Sequence, residues 1–321
     1  MTKPWIKNTI RTRWLTGIGL AGMLAASGCG RDGAATVTVG SKDFTEQFIV
    51  AEIVAQTIEA RTDLNVRRRT NLGGTMICHN AMRQGSIDVY VEYTGTALRS
   101  ILGKETASVD PNRIYDAVKE GYKRDFDLVW LAPFGFNNTY AMTVRRDFAE
   151  KHGLESIGDL EPMADTLTAG FTAEFAVRED GYPGLKMAYG FEFRSARDMD
   201  PSLMYRAVAG EQVDVICAFA TDGRIAAYDL ATLRDNRNFF PPYDAAPIAR
   251  AEVLTQHPQL ADALAALAGM IDDATMRQLN REVDAENREP AAVARDFLIA
   301  QGIIPVEEDR ESQSQAVNSG P

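Results

Sequence analysis

Apolar and polar positions along this chain alternate between two periods. VTVG (37–40) reads as a short strand, and TEQFIVAEIVAQTIEAR (45–61) carries apolar residues at helical spacing. LNVRRRTNL (64–72) is strand-like, GGTMICHNAMRQG (73–85) is a helix with a glycine stop, SIDVYVEY (86–93) is a strand, and TGTALRSIL (94–102) starts a helix. The rhythm continues after FGFNNTYAMTVRRDF through TLTAGF (166–171), a polar loop AEFAVREDGYPG (173–184), a helix PSLMYRAVAG (201–210) and a strand VDVICAF (213–219). From Pro258 onward the apolar spacing is helical. A βαβ rhythm of this kind predicts an α/β fold with a largely parallel sheet.

Two segments share one frame. RQGSIDVYVEYTGTAL and VAGEQVDVICAFATDGR each run from a helix end through Gly to an apolar residue, Asp, Val and a strand. An aromatic falls five residues after the aspartate in both: Tyr93 after Asp88, and Phe219 after Asp214. The repeat suggests two facing α/β lobes, although two βα units can look alike over a stretch this short.

The first thirty residues differ from the rest. MTKPWIKNTIRTR carries Lys3, Lys7, Arg11 and Arg13 without an acid, and WLTGIGLAGMLAASG is a short apolar run ending at Cys29. Residues 1–28 therefore read as an export signal. AASGC is similar to a bacterial lipobox, with Ala26 where leucine is usual, which makes Cys29 the expected lipidation site. Simple cleavage and release is the alternative.

Loss of residues 1–28 takes the formal net charge from −11 to −15, which argues against nucleic acid or anionic lipid as a partner. Cys78 and Cys217 then remain, expected as two buried free thiols. Three histidines without a clustered Cys/His pattern leave no case for a metal, and no cofactor motif is present. There is no G-x-S-x-G elbow, P-loop or H-E-x-x-H, so an enzyme is not expected. The tail, residues 305–321, has no apolar face and is expected to be disordered.

Candidate site residues sit where strands end and helices begin, the usual ligand position in α/β proteins. Tyr93 ends a strand, with Thr96 opening the next helix; a core tyrosine beside a helix cap explains the pair equally well. Lys42 in GSKDF directs a cation above the sheet or into solvent, and Arg178 in FAVRE can fork onto a carboxylate or pair with Glu179 or Asp180. Tyr140 follows Asn-Asn-Thr, and Tyr243 follows Pro-Pro, punctuation suited to lobe connections.

In order along the chain, GSKDFTEQFIVAEIVAQ, NLGGTM, IDVYVEYTGTAL, TAEFAVREDGYPG, YGFEF, LMYRAV, QVDVICAFATD and PPYDA resemble the substrate-binding proteins of ABC importers for glycine betaine, choline, carnitine and related quaternary-ammonium osmoprotectants. The resemblance implies a two-lobed periplasmic-binding-protein fold of type II, with two chain crossovers and the ligand in the cleft. Lobe one would comprise residues 30–136 and 242–304, and lobe two residues 137–241. It implies an aromatic cage of Tyr93, Tyr140, Phe219 and Tyr243, with Lys42, Thr96, Arg178 and Asn138 as contacts for a ligand carboxylate and other polar groups. Family members commonly have tyrosine where this chain has Phe219. The implied partners are a small quaternary-ammonium ligand and an ABC permease. The protein would be a periplasmic or cell-surface monomer, held at the membrane only through the lipid on Cys29. The implied function is capture of glycine betaine or a related betaine for the importer by lobe closure around the cage; a choline or carnitine binder of the same system, or a sensor module of the same fold, is the alternative.

Overall fold

The computed structural model describes residues 34–104 and 110–305. The expected export signal, Cys29 and nearly all of the expected tail lie outside these residues. Among the described residues, two five-stranded sheets organise the fold. The first uses β1 (Thr36–Gly40), β2 (Asn65–Arg69), β3 (Val89–Tyr93), β4 (Leu128–Trp130) and β10 (Ala245–Arg250), in the order β2-β1-β3-β10-β4. The second uses β5 (Tyr140–Arg145), β6 (Thr168–Phe171), β7 (Ser195–Asp198), β8 (Val215–Phe219) and β9 (Leu230–Thr232), in the order β7-β6-β8-β5-β9. The chain passes between the sheets twice, from β4 to β5 and from β9 back to β10.

Both sheets are mixed, which corrects the largely parallel expectation. β1 pairs in parallel with β2 and β3, while β10 runs antiparallel to both β3 and β4. The second sheet repeats the plan, with β6 parallel to β7 and β8 and β5 antiparallel to β8 and β9. The reversed strand in each sheet is the one delivered by a crossover. It enters from the other lobe and so runs against the local βαβ direction.

The sequence echo is a structural one. Asp88 Oδ2 accepts a hydrogen bond from Thr38 N at 2.8 Å, and Asp214 Oδ2 accepts one from Thr168 N at 2.8 Å. In each lobe the aspartate ties the start of the central strand to its parallel neighbour, which sets where that strand ends. Tyr93 and Phe219 are the last residues of β3 and β8.

Helix α1 (Thr45–Arg61) is apolar nearly all round and is buried accordingly. The helices Gln259–Ala265, Asp273–Asp284 and Pro290–Ala300 pack on it, so the C-terminal helical third covers the first lobe. The segment expected as a polar loop at 173–184 instead forms a short helix, Ala173–Val177, and starts another at Tyr182. Thr172 caps the first by accepting from Phe175 N at 3.2 Å, and buried Phe175 anchors it. Cys78 and Cys217 are buried free thiols. Among the described residues, no helix is long and apolar enough to cross a membrane.

Candidate functional site

A cavity of about 400 Å³ lies between the lobes, in the range of small-molecule sites. All eight residues singled out from the sequence line it: Lys42, Tyr93, Thr96, Asn138, Tyr140, Arg178, Phe219 and Tyr243. Strand ends and crossovers bring them together. Tyr140 opens β5 directly opposite Phe219, the last residue of β8. Tyr93 ends β3 opposite Ala245, two residues beyond Tyr243. The Tyr140 ring stands 5.3 Å from that of Tyr243 at 75° and 5.8 Å from that of Phe219 at 34°. In EYTGT, a side chain on Gly95 would meet Pro242 O at 2.8 Å and the Tyr243 ring at 2.9 Å, so only glycine lets Tyr243 settle against this turn.

Sequence reasoning missed several lining residues. Phe44 follows Lys42 by two positions and stacks on Phe219, with centroids 5.1 Å apart and planes within 6°. It is also 6.3 Å from Tyr93, so it bridges aromatics of the two lobes. Its signal was an aromatic in the same strand-to-helix turn as Lys42. Asp43, Thr172 and Glu174, which lie within GSKDF and TAEFAVREDGYPG but were not singled out, also line the cavity, as do Asp198, Met199 and Asp200, which no motif marked.

The two cations are already partnered. Lys42 Nζ lies 2.7 Å from Glu92 Oε1, donates to Thr75 Oγ1 at 2.8 Å, and sits 5.2 Å from the Tyr93 ring centroid. Arg178 grips Asp180 through Nε at 2.8 Å and through a second, short bond from Nη2, with Nη1 3.5 Å from Glu174. Glu174 in turn accepts from Thr75 N at 2.6 Å, at the first turn of helix α2 (Thr75–Arg83). A carboxylate there is favoured by the helix dipole. Four carboxylates line the cavity, Asp43, Glu174, Asp198 and Asp200, against the two cations. Both cations keep further donors, so a ligand carboxylate could share them, while the surplus of negative charge suits a cation.

Tyr93 is fixed from behind. Its hydroxyl donates to Glu46 Oε1 at 2.6 Å and accepts from Gln47 Nε2 at 3.0 Å. The Asn138 amide, expected as a ligand contact, donates to Glu46 Oε1 at 2.8 Å. Burial raises the Glu46 pKa above the ordinary carboxylate value, and hydrogen bonds from Thr221, Tyr93, Asn138 and Asn280 oppose that rise. Burial likewise pushes the Tyr93 and Tyr243 hydroxyls well above their usual value, so both rings are neutral and keep their π-faces. Among the described residues, no group of His, Cys, Asp and Glu could hold a metal.

Comparison with known proteins agrees with this geometry. The family described as the substrate binding domain of ABC-type glycine betaine transport system matches residues 35–300. A carnitine transport binding protein of Listeria monocytogenes is 40% identical over 273 residues, covering 84% of this chain and 88% of that protein. A glycine-betaine-binding protein of Pseudomonas aeruginosa is 37% identical over 290 residues, covering 87% and 91%. A crystal structure of a glycine betaine/carnitine/choline ABC transporter protein superposes with a TM-score of 0.67 at 37% identity, covering 83% of this chain and 99% of that one. The two-lobed, type II periplasmic-binding-protein fold expected from the motifs is the fold present. The chain belongs to the family of substrate-binding domains of ABC-type glycine betaine transport systems.

Proposed function

We propose that this protein captures glycine betaine or a related betaine outside the cytoplasm, by closing its two lobes around the ligand, and delivers it to the permease of an ABC importer. Lobe one comprises residues 30–136 and 242–304, and lobe two residues 137–241. The protein acts as a monomer, held at the membrane through lipidated Cys29, and carries out no covalent chemistry.

The observation that carries this reading is the ring set around one cavity: Tyr93 and Tyr243 from lobe one, Tyr140 and Phe219 from lobe two, with Phe44 between them. A quaternary ammonium has no N–H and cannot be recognised by hydrogen bonds. Ring faces attract it by about 0.5–2 kcal/mol each, and more as water leaves. Lys42, Arg178, Thr96 and Asn138 line the same cavity as polar partners for the other end of the ligand. Desolvating a carboxylate is costly unless charge-assisted hydrogen bonds offset it.

A second reading, choline, is favoured by one observation: both cations already face protein carboxylates, Glu92, Asp180 and Glu174, and three further acids, Asp43, Asp198 and Asp200, line the wall. Calorimetric titration of the mature protein with glycine betaine, carnitine and choline decides between them. Glycine betaine binding more tightly than choline is expected; the reverse order would favour choline, and no heat with any of the three would remove the reading altogether.

A further inference from the structure

Glu46 is a buried carboxylate, 3% exposed, in the first turn of α1, and it does not line the main cavity. Its two oxygens accept four hydrogen bonds. Oε1 takes the Tyr93 hydroxyl at 2.6 Å and Asn138 Nδ2 at 2.8 Å; Oε2 takes the Thr221 hydroxyl at 2.5 Å and Asn280 Nδ2 at 3.2 Å. These donors come from four places in the fold: the end of β3, the first crossover, the loop after β8 in lobe two, and the helix Asp273–Asp284. All four are neutral, so the carboxylate is held by hydrogen bonds alone.

Thr221 is the lobe-two end of this arrangement. Besides its hydroxyl bond to Glu46, its carbonyl accepts from Asn280 Nδ2 at 3.0 Å, and its amide faces Asn138 Oδ1 at 3.5 Å. The residue is 1% exposed. It lies two positions beyond Phe219, so holding Thr221 holds the strand end that carries a cage ring. Thr221 is thus one grip of lobe one on lobe two, beside the Thr75–Glu174, Ser100–Asp180 and Arg224–Asp284 contacts, and the same carboxylate that holds it also fixes the hydroxyl of Tyr93.

We propose that Glu46 is a positioning residue and interlobe latch: it orients the Tyr93 ring for the ligand and holds the lobes closed through Thr221. This rests on the betaine-binding reading for its ligand readout but not for its structural one. Separation of the lobes breaks the Thr221 bonds, so opening exposes a buried carboxylate that has lost a donor. Closure restores that donor at the moment the rings meet. The latch thus adds to the closed state without touching the ligand, and its loss is read mainly as faster ligand release.

Glu46→Gln keeps the shape of the side chain. It turns one oxygen into an NH2 group, which faces two donors whichever way the amide is placed. The bond from the asparagine amide on that side is lost, and the hydroxyl there must turn from donor to acceptor. Thr221→Val removes only the lobe-two hydroxyl, and Thr221→Ser restores it. In titration and stopped-flow with glycine betaine, Glu46→Gln is expected to weaken binding by about tenfold or more, chiefly in the dissociation rate. Thr221→Val is expected to raise the dissociation rate by about threefold to tenfold, and Thr221→Ser to return it to the wild-type value.

Amide hydrogen exchange on the ligand-free proteins supplies the readout that needs no ligand. Thr221→Val is expected to speed exchange in residues 44–48 and 219–223 together, on both sides of the cleft, and Thr221→Ser to reverse it. If wild-type protein takes no glycine betaine, the functional reading fails and the exchange experiment alone judges the latch. The latch is overturned by folded Glu46→Gln protein with unchanged affinity and release rate, or by Thr221→Val exchange identical to wild type in both segments.

Discussion

Lys42 and Glu92 form an ion pair at 2.7 Å in which both side chains are almost wholly shielded, 4% and 0% exposed. Glu92 also accepts from the Tyr90 hydroxyl at 3.0 Å and from Tyr93 N at 2.7 Å, so it organises the end of β3. Removing one partner of such a pair strands a charge in the core, at a cost of about 3–5 kcal/mol. Lys42→Met should therefore lower unfolding stability by about 3 kcal/mol in urea. The Lys42→Met/Glu92→Gln double variant should recover most of that loss, because no buried charge is left alone. If Lys42 also touches the ligand, the double variant still binds glycine betaine about tenfold more weakly than wild type, about 1.4 kcal/mol. Wild-type affinity in the stable double variant would confine Lys42 to a structural role.

Phe44 gives a cleaner test of the cage. It is only partly buried, and its partners are the cage rings Phe219 and Tyr93. Truncation to alanine removes one π-face and part of the cavity wall but little of the core. Phe44→Ala should weaken glycine betaine binding by about tenfold, within the 0.5–2 kcal/mol of one well-placed ring. Its unfolding midpoint should fall much less than that of Lys42→Met. Unchanged affinity on titration would remove Phe44 from the ligand's surroundings.

These two residues also mark how far the sequence could be read. The strand ends at Tyr93 and Phe219 were legible because Asp88 and Asp214 repeat with the same spacing, and each aspartate makes the same bond to a neighbouring strand. Phe44 was not legible. It lies in a turn, where neither the two-residue nor the 3.6-residue period says which way a side chain faces. Lys42 and Arg178 were found as cations, and Asp180 was in view as a partner for Arg178, but Glu92 as the partner of Lys42 was not. Glu92 alternates with apolar neighbours along β3 and looks like an outward position, yet both faces of that strand are covered. The reversed strands β5 and β10 escaped for a related reason: a crossover brings them from the other lobe, and local patterning carries no record of pairing at that distance.

His79 sets a pH dependence that has nothing to do with the cleft. It is 2% exposed, its ring edge-packed on Phe126 at 4.6 Å and Tyr122 at 5.7 Å. Burial, and then the nearby Arg83 charge, lower its pKa from 6.5 to about 4. The unfolded chain therefore takes up this proton at a higher pH than the folded one does. The stability His79 confers is complete above about pH 6.5 and is lost as pH falls toward 4. Thermal midpoints measured from pH 7 down to 4.5 should drop less steeply in His79→Gln than in wild type. Parallel curves would assign the acid sensitivity to other groups.

Arg178 serves three carboxyl groups with one guanidinium, if the ligand's is counted with those of Asp180 and Glu174. Asp180 is 3% exposed and also accepts from Ser100 Oγ at 3.2 Å, so it stays in place whether or not the ligand is present. A guanidinium can hold Asp180 through one edge and still direct N–H groups elsewhere; an ammonium cannot make that fork. Arg178→Lys keeps the charge and loses the geometry. It should bind glycine betaine at least tenfold more weakly, while choline, which has no carboxylate, should lose much less. The ratio of the two affinities is the informative quantity, because a general loosening of the cleft would weaken both ligands alike. Equal losses would mean that Arg178 acts on closure of the lobes and not on the carboxylate.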